Sequence, residues 1–129
     1  PPDAAAPAAA IAAIENADQV VLGPGSLFTS IIAAAAVPDI RAALDRFAGP
    51  IVYVCNLRPQ SPETEGFDAV GHVQALIAHG INPTVMVCDE TGLRPADSPI
   101  PCVCAPVANP SGTAHDEAGL AAALRDLVV

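Results

Sequence analysis

A chain of 129 residues is long enough to bury a core as one domain. Its composition, 52% hydrophobic but only 3% aromatic, suits helices packed on a sheet whose strands are buried on both faces. The formal net charge of −9, with the acids scattered rather than in runs, disfavours nucleic acid and anionic lipid as partners, and no apolar run approaches the ~20 residues of a membrane span.

Residues 1–7 (PPDAAAP) lack the basic start and apolar core of a signal peptide and read as a disordered lead-in or linker, with a cytoplasmic location as the default. Residues 8–129 form the expected domain. Helical patterning over 8–16 precedes a buried strand at 19–22 (QVVL). Helices follow at 27–36 and 39–47, separated at Val37-Pro38 because the residue before proline avoids the α region. A second buried strand spans 51–55 (IVYVC), a helix 67–79, and a third strand 84–88 (TVMVC). A fourth strand at 102–107 is weakened by the flanking Pro101 and Pro106, and a helix over 116–127 closes the chain. This alternation predicts an α/β fold with a mainly parallel sheet and right-handed crossovers.

In an open parallel sheet, ligands bind where loops leave the carboxyl ends of the strands. The first such loop lies in VVLGPGSLFTS, residues 20–30. Gly23 and Gly25 permit close backbone approach, Pro24 stiffens the turn, and Ser26 is a natural N-cap whose helix start, with Thr29 one turn on, offers N–H groups to an anion. An ordinary strand-to-helix turn explains the same residues. The second loop, 56–66 (NLRPQSPETEG), is long for its place, which favours function. Asn56 can hydrogen-bond a base, a sugar or a neighbouring loop. Glu63 can hold a sugar hydroxyl or a metal, or stand in solvent, and Thr64 can shape a pocket or cap the next helix. A third loop, 89–92, leaves the same edge.

The apolar stripe Phe67, Val70, Val73, Ile77 leaves His72 off the core face, exposed or turned towards the loop edge. His79 suits a helix C-terminus with Gly80 as the stop, and His115 suits a neighbour of the cap on the last helix. No catalytic triad or metal-ligand set emerges from these spacings. Of the four cysteines, Cys55, Cys88 and Cys104 fall in or near strands, where a free thiol behaves as a small hydrophobe. Cys102-Val103-Cys104 has the wrong spacing for a zinc knuckle or a redox pair.

The block ADQVVLGPGSLFTS (17–30) resembles the signature of the gluconeogenesis factor (YvcK-like) family, within the superfamily of the phospholactate transferase CofD. Tyr53 to Leu57 followed by Gln60, Glu63-Thr64 and Gly66-Phe67, then His72-Val73, Ala75-Leu76 and His115-Asp116, continue the likeness. The resemblance implies a Rossmann-like three-layer α/β sandwich and a cytoplasmic bacterial protein. It implies binding of a nucleotide sugar of the UDP-N-acetylglucosamine type and influence over gluconeogenic growth, cell-wall synthesis and cell shape. In the transferase branch the loop is similar to Gly-Pro-Ser-Asn-Pro and a phospholactyl group is moved; Gly23-Pro24-Gly25-Ser26-Leu27 departs from that towards the regulatory branch. Ala33 to Ala36 stand where the regulatory family usually has a Pro-Asn pair. The likeness covers the C-terminal portion of the family pattern, without its glycine-rich nucleotide loop, so the expected fold is incomplete and carries one wall of a cleft. The expected ligand residues are Gly23, Gly25, Ser26, Thr29, Asn56, Glu63 and Thr64, with no catalytic residue, metal or resident cofactor. The alternatives are a phospholactyl transferase and an inactive fragment whose uncovered edge favours a homo-oligomer.

Overall fold

The computed structural model describes residues 4–58, 68–91 and 98–128. Four short parallel strands, β1 (Val20–Leu22), β2 (Ile51–Val54), β3 (Val85–Asp89) and β4 (Cys102–Ala105), lie in the order β1-β2-β3-β4. Each follows its predecessor in space as in sequence; helices α2 (Leu27–Ala35) and α3 (Pro38–Arg46) link β1 to β2, and α4 (Ala69–Ala78) lies between β2 and β3. Helix α1 (Ala8–Glu15) precedes the sheet and α5 (Glu117–Asp126) follows it. The register pairs Val21 with Val52, Val52 with Val85, and Cys88 with Cys104.

Strand alternation divides the side chains into two layers. Ile51, Tyr53 and Cys55 of β2 and its extension join Met86 and Cys88 in the larger core, where α2, α3 and α4 supply Leu27, Ile31, Leu44, Val73 and Leu76. Val52 and Val87 face the other way and meet Ala123, Leu120 and Leu124 of α5. Helices therefore cover both faces of the sheet, as the apolar, non-alternating runs predict. The cover is uneven at β1: Val21 is 38% exposed, and among the described residues no strand pairs with the outer side of β1. No single helix among the described residues is long and apolar enough to cross a membrane.

Local sequence explains most boundaries. Val37 is extended and Pro38 takes the first helical position of α3, so the chain turns 74° between α2 and α3. At the end of α4 the Gly80 N–H donates to the Ile77 carbonyl at 2.9 Å and the Ile81 N–H to that of Leu76 at 3.0 Å, closing the helix as His79 and Gly80 predict. Strand β4 forms despite its flanking prolines. Pro101 stands outside the ladder and uses only its carbonyl, which accepts from the Met86 N–H at 2.9 Å, so its missing N–H costs nothing there.

Two expectations need correction. His72 is fully buried, not off the core face, and its Nδ1–H donates to the Asp68 carbonyl at 2.7 Å. The buried stripe of α4 runs through Ala69, His72, Val73 and Leu76, the i, i+3, i+4, i+7 pattern, while Ile77 is 38% exposed. Cys104 is not a buried hydrophobe: it is exposed, whereas Cys55 and Cys88 are buried. All four thiols are free, and Cys102 Sγ lies 3.6 Å from Cys88 Sγ.

Candidate functional site

At the carboxyl end of β1, Gly23 adopts φ +87°, a left-handed conformation in which a side chain is strained. A Cβ there would stand 3.1 Å from the Val54 carbonyl oxygen and 3.0 Å from Ile31 Cδ1. Gly23 is thus wedged between sheet and helix, and the following Gly23-Pro24 bond is cis. Helix α2 then opens in π geometry over Leu27–Ile32, with the Ile31 N–H donating to the Ser26 carbonyl at 3.0 Å. Ser26 occupies the N-cap position, but its hydroxyl makes no capping bond to the helix and instead meets Thr29 Oγ1 at 2.6 Å. The two hydroxyls named in the sequence are therefore joined to each other.

Beyond β4 the chain doubles back in a hairpin. The Asp116 N–H donates to the Val107 carbonyl at 2.7 Å, Asn109 N–H to that of Ala114 at 2.8 Å, and Ala108 bridges His115 in antiparallel fashion. Asn109 closes the tip, its Oδ1 accepting from the N–H groups of Thr113 and Ala114 at 3.0 and 3.3 Å. Asp89, at the end of β3, clamps the base. One carboxylate oxygen accepts from Val107 N–H at 3.0 Å and Ala108 N–H at 2.9 Å, and the other takes Thr91 N–H and its hydroxyl. Burial pushes the Asp89 carboxyl up, but the bonds from Thr91, Ala108 and Val107 outweigh it and hold the group below the usual carboxylate range. Asp116 then caps α5 by accepting from Gly119 N–H at 2.7 Å.

These elements enclose a pocket of about 500 Å³ at the carboxyl edge of the sheet. Pro24 and Gly25, residues 56–58 and residues 112–115 of the hairpin line it. Its size lies within the range of small-molecule sites. Among the described residues, two side chains of its lining each carry a buried polar atom without a hydrogen-bond partner, Asn56 Nδ2 and His115 Nε2. Leaving such a group unsatisfied costs about 1–3 kcal/mol, so each asks for an explanation. Arg58 adds an exposed guanidinium, whose Nη2 would lie 3.3 Å from a Cβ on Gly112.

Of the residues singled out in the sequence, Gly25 and Asn56 share this pocket, whereas Gly23, Ser26 and Thr29 do not line it. Gly23 instead borders an adjoining apolar groove of about 380 Å³ along β1, with Ile14, Ile31 and Leu44. Glu63 and Thr64 lie outside the described residues. Sequence reasoning missed the hairpin wall and treated His115 as a capping neighbour. The cue was there in Asn109-Pro110-Ser111-Gly112, a run of turn formers. Asp89 was legible too, since Asp-x-Thr after a strand favours the side-chain turn it makes.

A family model described as "2-phospho-L-lactate transferase CofD" matches residues 1–98. Relatives from Deinococcus radiodurans, Thermoanaerobacterium thermosulfurigenes and Lactococcus lactis are each named "Putative gluconeogenesis factor". They are 41%, 42% and 48% identical over 65%, 74% and 54% of this chain, which spans only 18%, 29% and 21% of their lengths. A crystal structure of a UPF0052 family member from Bacillus halodurans superposes with a TM-score of 0.86 at 24% identity, covering 97% of this chain and 48% of that one. The parallel α/β architecture is thus that of a known structural family, and the match spans both the Gly23–Pro24 turn and the strand leading to Asn56. The chain belongs to the CofD family.

Proposed function

We propose that this chain forms part of a binding site for a nucleotide sugar of the UDP-N-acetylglucosamine type, in a cytoplasmic regulatory protein linked to gluconeogenic growth, cell-wall synthesis and cell shape. The observation that carries the reading is the pocket itself. It lies where open parallel sheets hold ligands, and Gly25 and Asn56 meet in it from loops far apart in sequence. The names of the relatives favour the regulatory branch, and Gly23-Pro24-Gly25-Ser26-Leu27 departs from the transferase-type loop. The chain spans a fraction of each relative, so the reading is of part of a site and not of the whole protein.

Calorimetric titration with UDP-N-acetylglucosamine tests the proposal, using this chain and a full-length relative such as the one from Thermoanaerobacterium thermosulfurigenes. Saturable binding by the relative supports it; absence of binding by both overturns it. The family description favours a second reading, a phospholactyl transferase. Turnover of a guanosine-nucleotide-activated phospholactate by the full-length relative would establish that reading in place of the first.

A further inference from the structure

We propose that Cys104 and Cys88 are an oxidation-sensitive pair, closing to a disulfide between β4 and β3 when a hydroperoxide reaches the chain. Spacing along the sequence does not make this pair; the sheet register does. Three observations carry the inference.

The first is the gathering of the thiols. All four cysteines stand on the extension of β2, on β3 and on β4. Cys88 hydrogen-bonds with Cys55 on one side and accepts from the Cys102 thiol at 3.6 Å on the other. Cys102 in turn hydrogen-bonds with Cys104, so the sulfurs form a series from the core to the surface. The second is register. Cys88 and Cys104 are direct partners in the parallel ladder, so their side chains leave the same face of the sheet. Strand spacing sets their α-carbons about 4.8 Å apart, inside the ~4.4–6.8 Å span of a disulfide. Cys102 is the partner of Met86, two residues out of step with Cys88. That offset places the α-carbons of Cys88 and Cys102 roughly 8 Å apart, beyond a disulfide's reach although the sulfurs touch. Their contact shows instead that the Cys88 sulfur is turned towards β4.

The third is a division of exposure. Cys104 is open to solvent, whereas Cys88 is buried and its thiol is held protonated by the Cys55 hydrogen bond and by burial. The accessible thiol therefore meets the oxidant and the buried one resolves it. The Cys104 sulfur attacks one peroxide oxygen, the O–O bond breaks, and a sulfenic acid and one water form. The Cys88 sulfur then attacks the sulfenic sulfur as its proton passes to the departing oxygen; the S–O bond breaks, an S–S bond forms and a second water leaves. Two thiols thus give up two electrons and two protons, and one hydrogen peroxide becomes two waters.

Side chains of register partners run parallel and do not converge, so closure draws the strands together and leaves a strained, readily reduced bond. The next rung pairs Asp89 with Ala105, and Asp89 holds the hairpin through Val107 N–H and Ala108 N–H at 3.0 and 2.9 Å. Those bonds have no slack to shorten, so oxidation loosens the base of the hairpin.

The test is to treat this chain with hydrogen peroxide, block remaining thiols by alkylation, and map disulfides by mass spectrometry without reduction. A Cys88–Cys104 bond within one chain is expected, reversed by dithiothreitol, abolished in Cys104→Ser and retained in Cys102→Ser. In Cys88→Ala, Cys104 should stop at the sulfenic acid and be trapped by dimedone, a product that a folding defect does not create. Amide exchange at Val107 and Ala108 should quicken by about tenfold in the oxidised chain. Sulfenic acid at Cys104 of the unsubstituted chain with no disulfide, a bond through Cys102, or bonds only between copies would each overturn the pair. Unchanged exchange at Val107 and Ala108 would overturn its effect on the hairpin.

Discussion

Replacing Gly23 by alanine adds one methyl group at the tightest point of the β1–α2 turn. At φ +87° an alanine meets a conformational cost of about 1–2 kcal/mol. Its Cβ would stand 3.0 Å from Ile31 Cδ1 and 3.1 Å from the Val54 carbonyl oxygen. The isoleucine methyl can rotate away, but the carbonyl belongs to a central strand and cannot, which adds an overpacking cost of about 1–2 kcal/mol. The sum, roughly 2–4 kcal/mol, is a large share of the ~5–15 kcal/mol that holds a domain together. For a chain of this size it lowers the thermal midpoint by roughly 10 °C. Gly25→Ala is the matched control. Its φ is not positive, and an added Cβ would meet only Ser30 Cβ at 3.8 Å and Ile31 Cγ1 at 4.0 Å, ordinary contacts. Thermal unfolding followed by circular dichroism should therefore separate two glycines that look alike in GPG. Equal midpoints for the two variants, or a larger loss at Gly25, would refute the assignment of Gly23 to packing.

Asp89→Asn removes the charge that binds four donors and should cost about 2 kcal/mol at neutral pH, read from urea midpoints. Because its folded carboxyl is held below the ordinary value, the stability it contributes is present above that value, near ~3.9, and is lost as pH falls through it towards the lower folded value. The unsubstituted chain should thus lose stability more steeply between pH 5 and 3 than Asp89→Asn, on the order of one titrating group. Asp116→Ala, which removes the cap on α5, should cost about 1 kcal/mol in the same assay. Thiol labelling at neutral pH should modify exposed Cys104 first. Cys88, whose thiol is pushed up by its hydrogen bond with Cys55 and by burial, should react only on unfolding. Early labelling of Cys88 by mass spectrometry would contradict this.

The strands were legible because β-branched runs bounded by turn formers have few other homes. The weakest of them, β4, was discounted for its prolines, yet a proline beside a strand removes only its own N–H. His72 was misplaced for a different reason. The stripe was phased on Phe67 and Ile77, two large residues, while the helix buries Ala69 and Leu76 on the same turn positions as His72. Size misled where spacing would have served. The candidate site was half legible: Gly25 and Asn56 are marked by their places after strands. His115 acquires its meaning only through the hairpin that swings it across to Asn56, and no local pattern encodes that approach. Ser26 and Thr29 carry the right chemistry, but a helix that opens in π geometry turns their hydroxyls towards each other.

The outer side of β1, unpaired among the described residues, has a polarity, and that polarity constrains what an addition to the sheet can do. All four strands run the same way, so the pocket sits at one end of them. A second copy joined edge to edge by two-fold symmetry would set its own β1 antiparallel to this one. The two pockets would then open at opposite ends of the enlarged sheet. A strand of different sequence that runs with β1 has the opposite effect, because the loop leaving it emerges beside Pro24 and Gly25. Symmetric pairing multiplies the site; only an asymmetric neighbour can complete it.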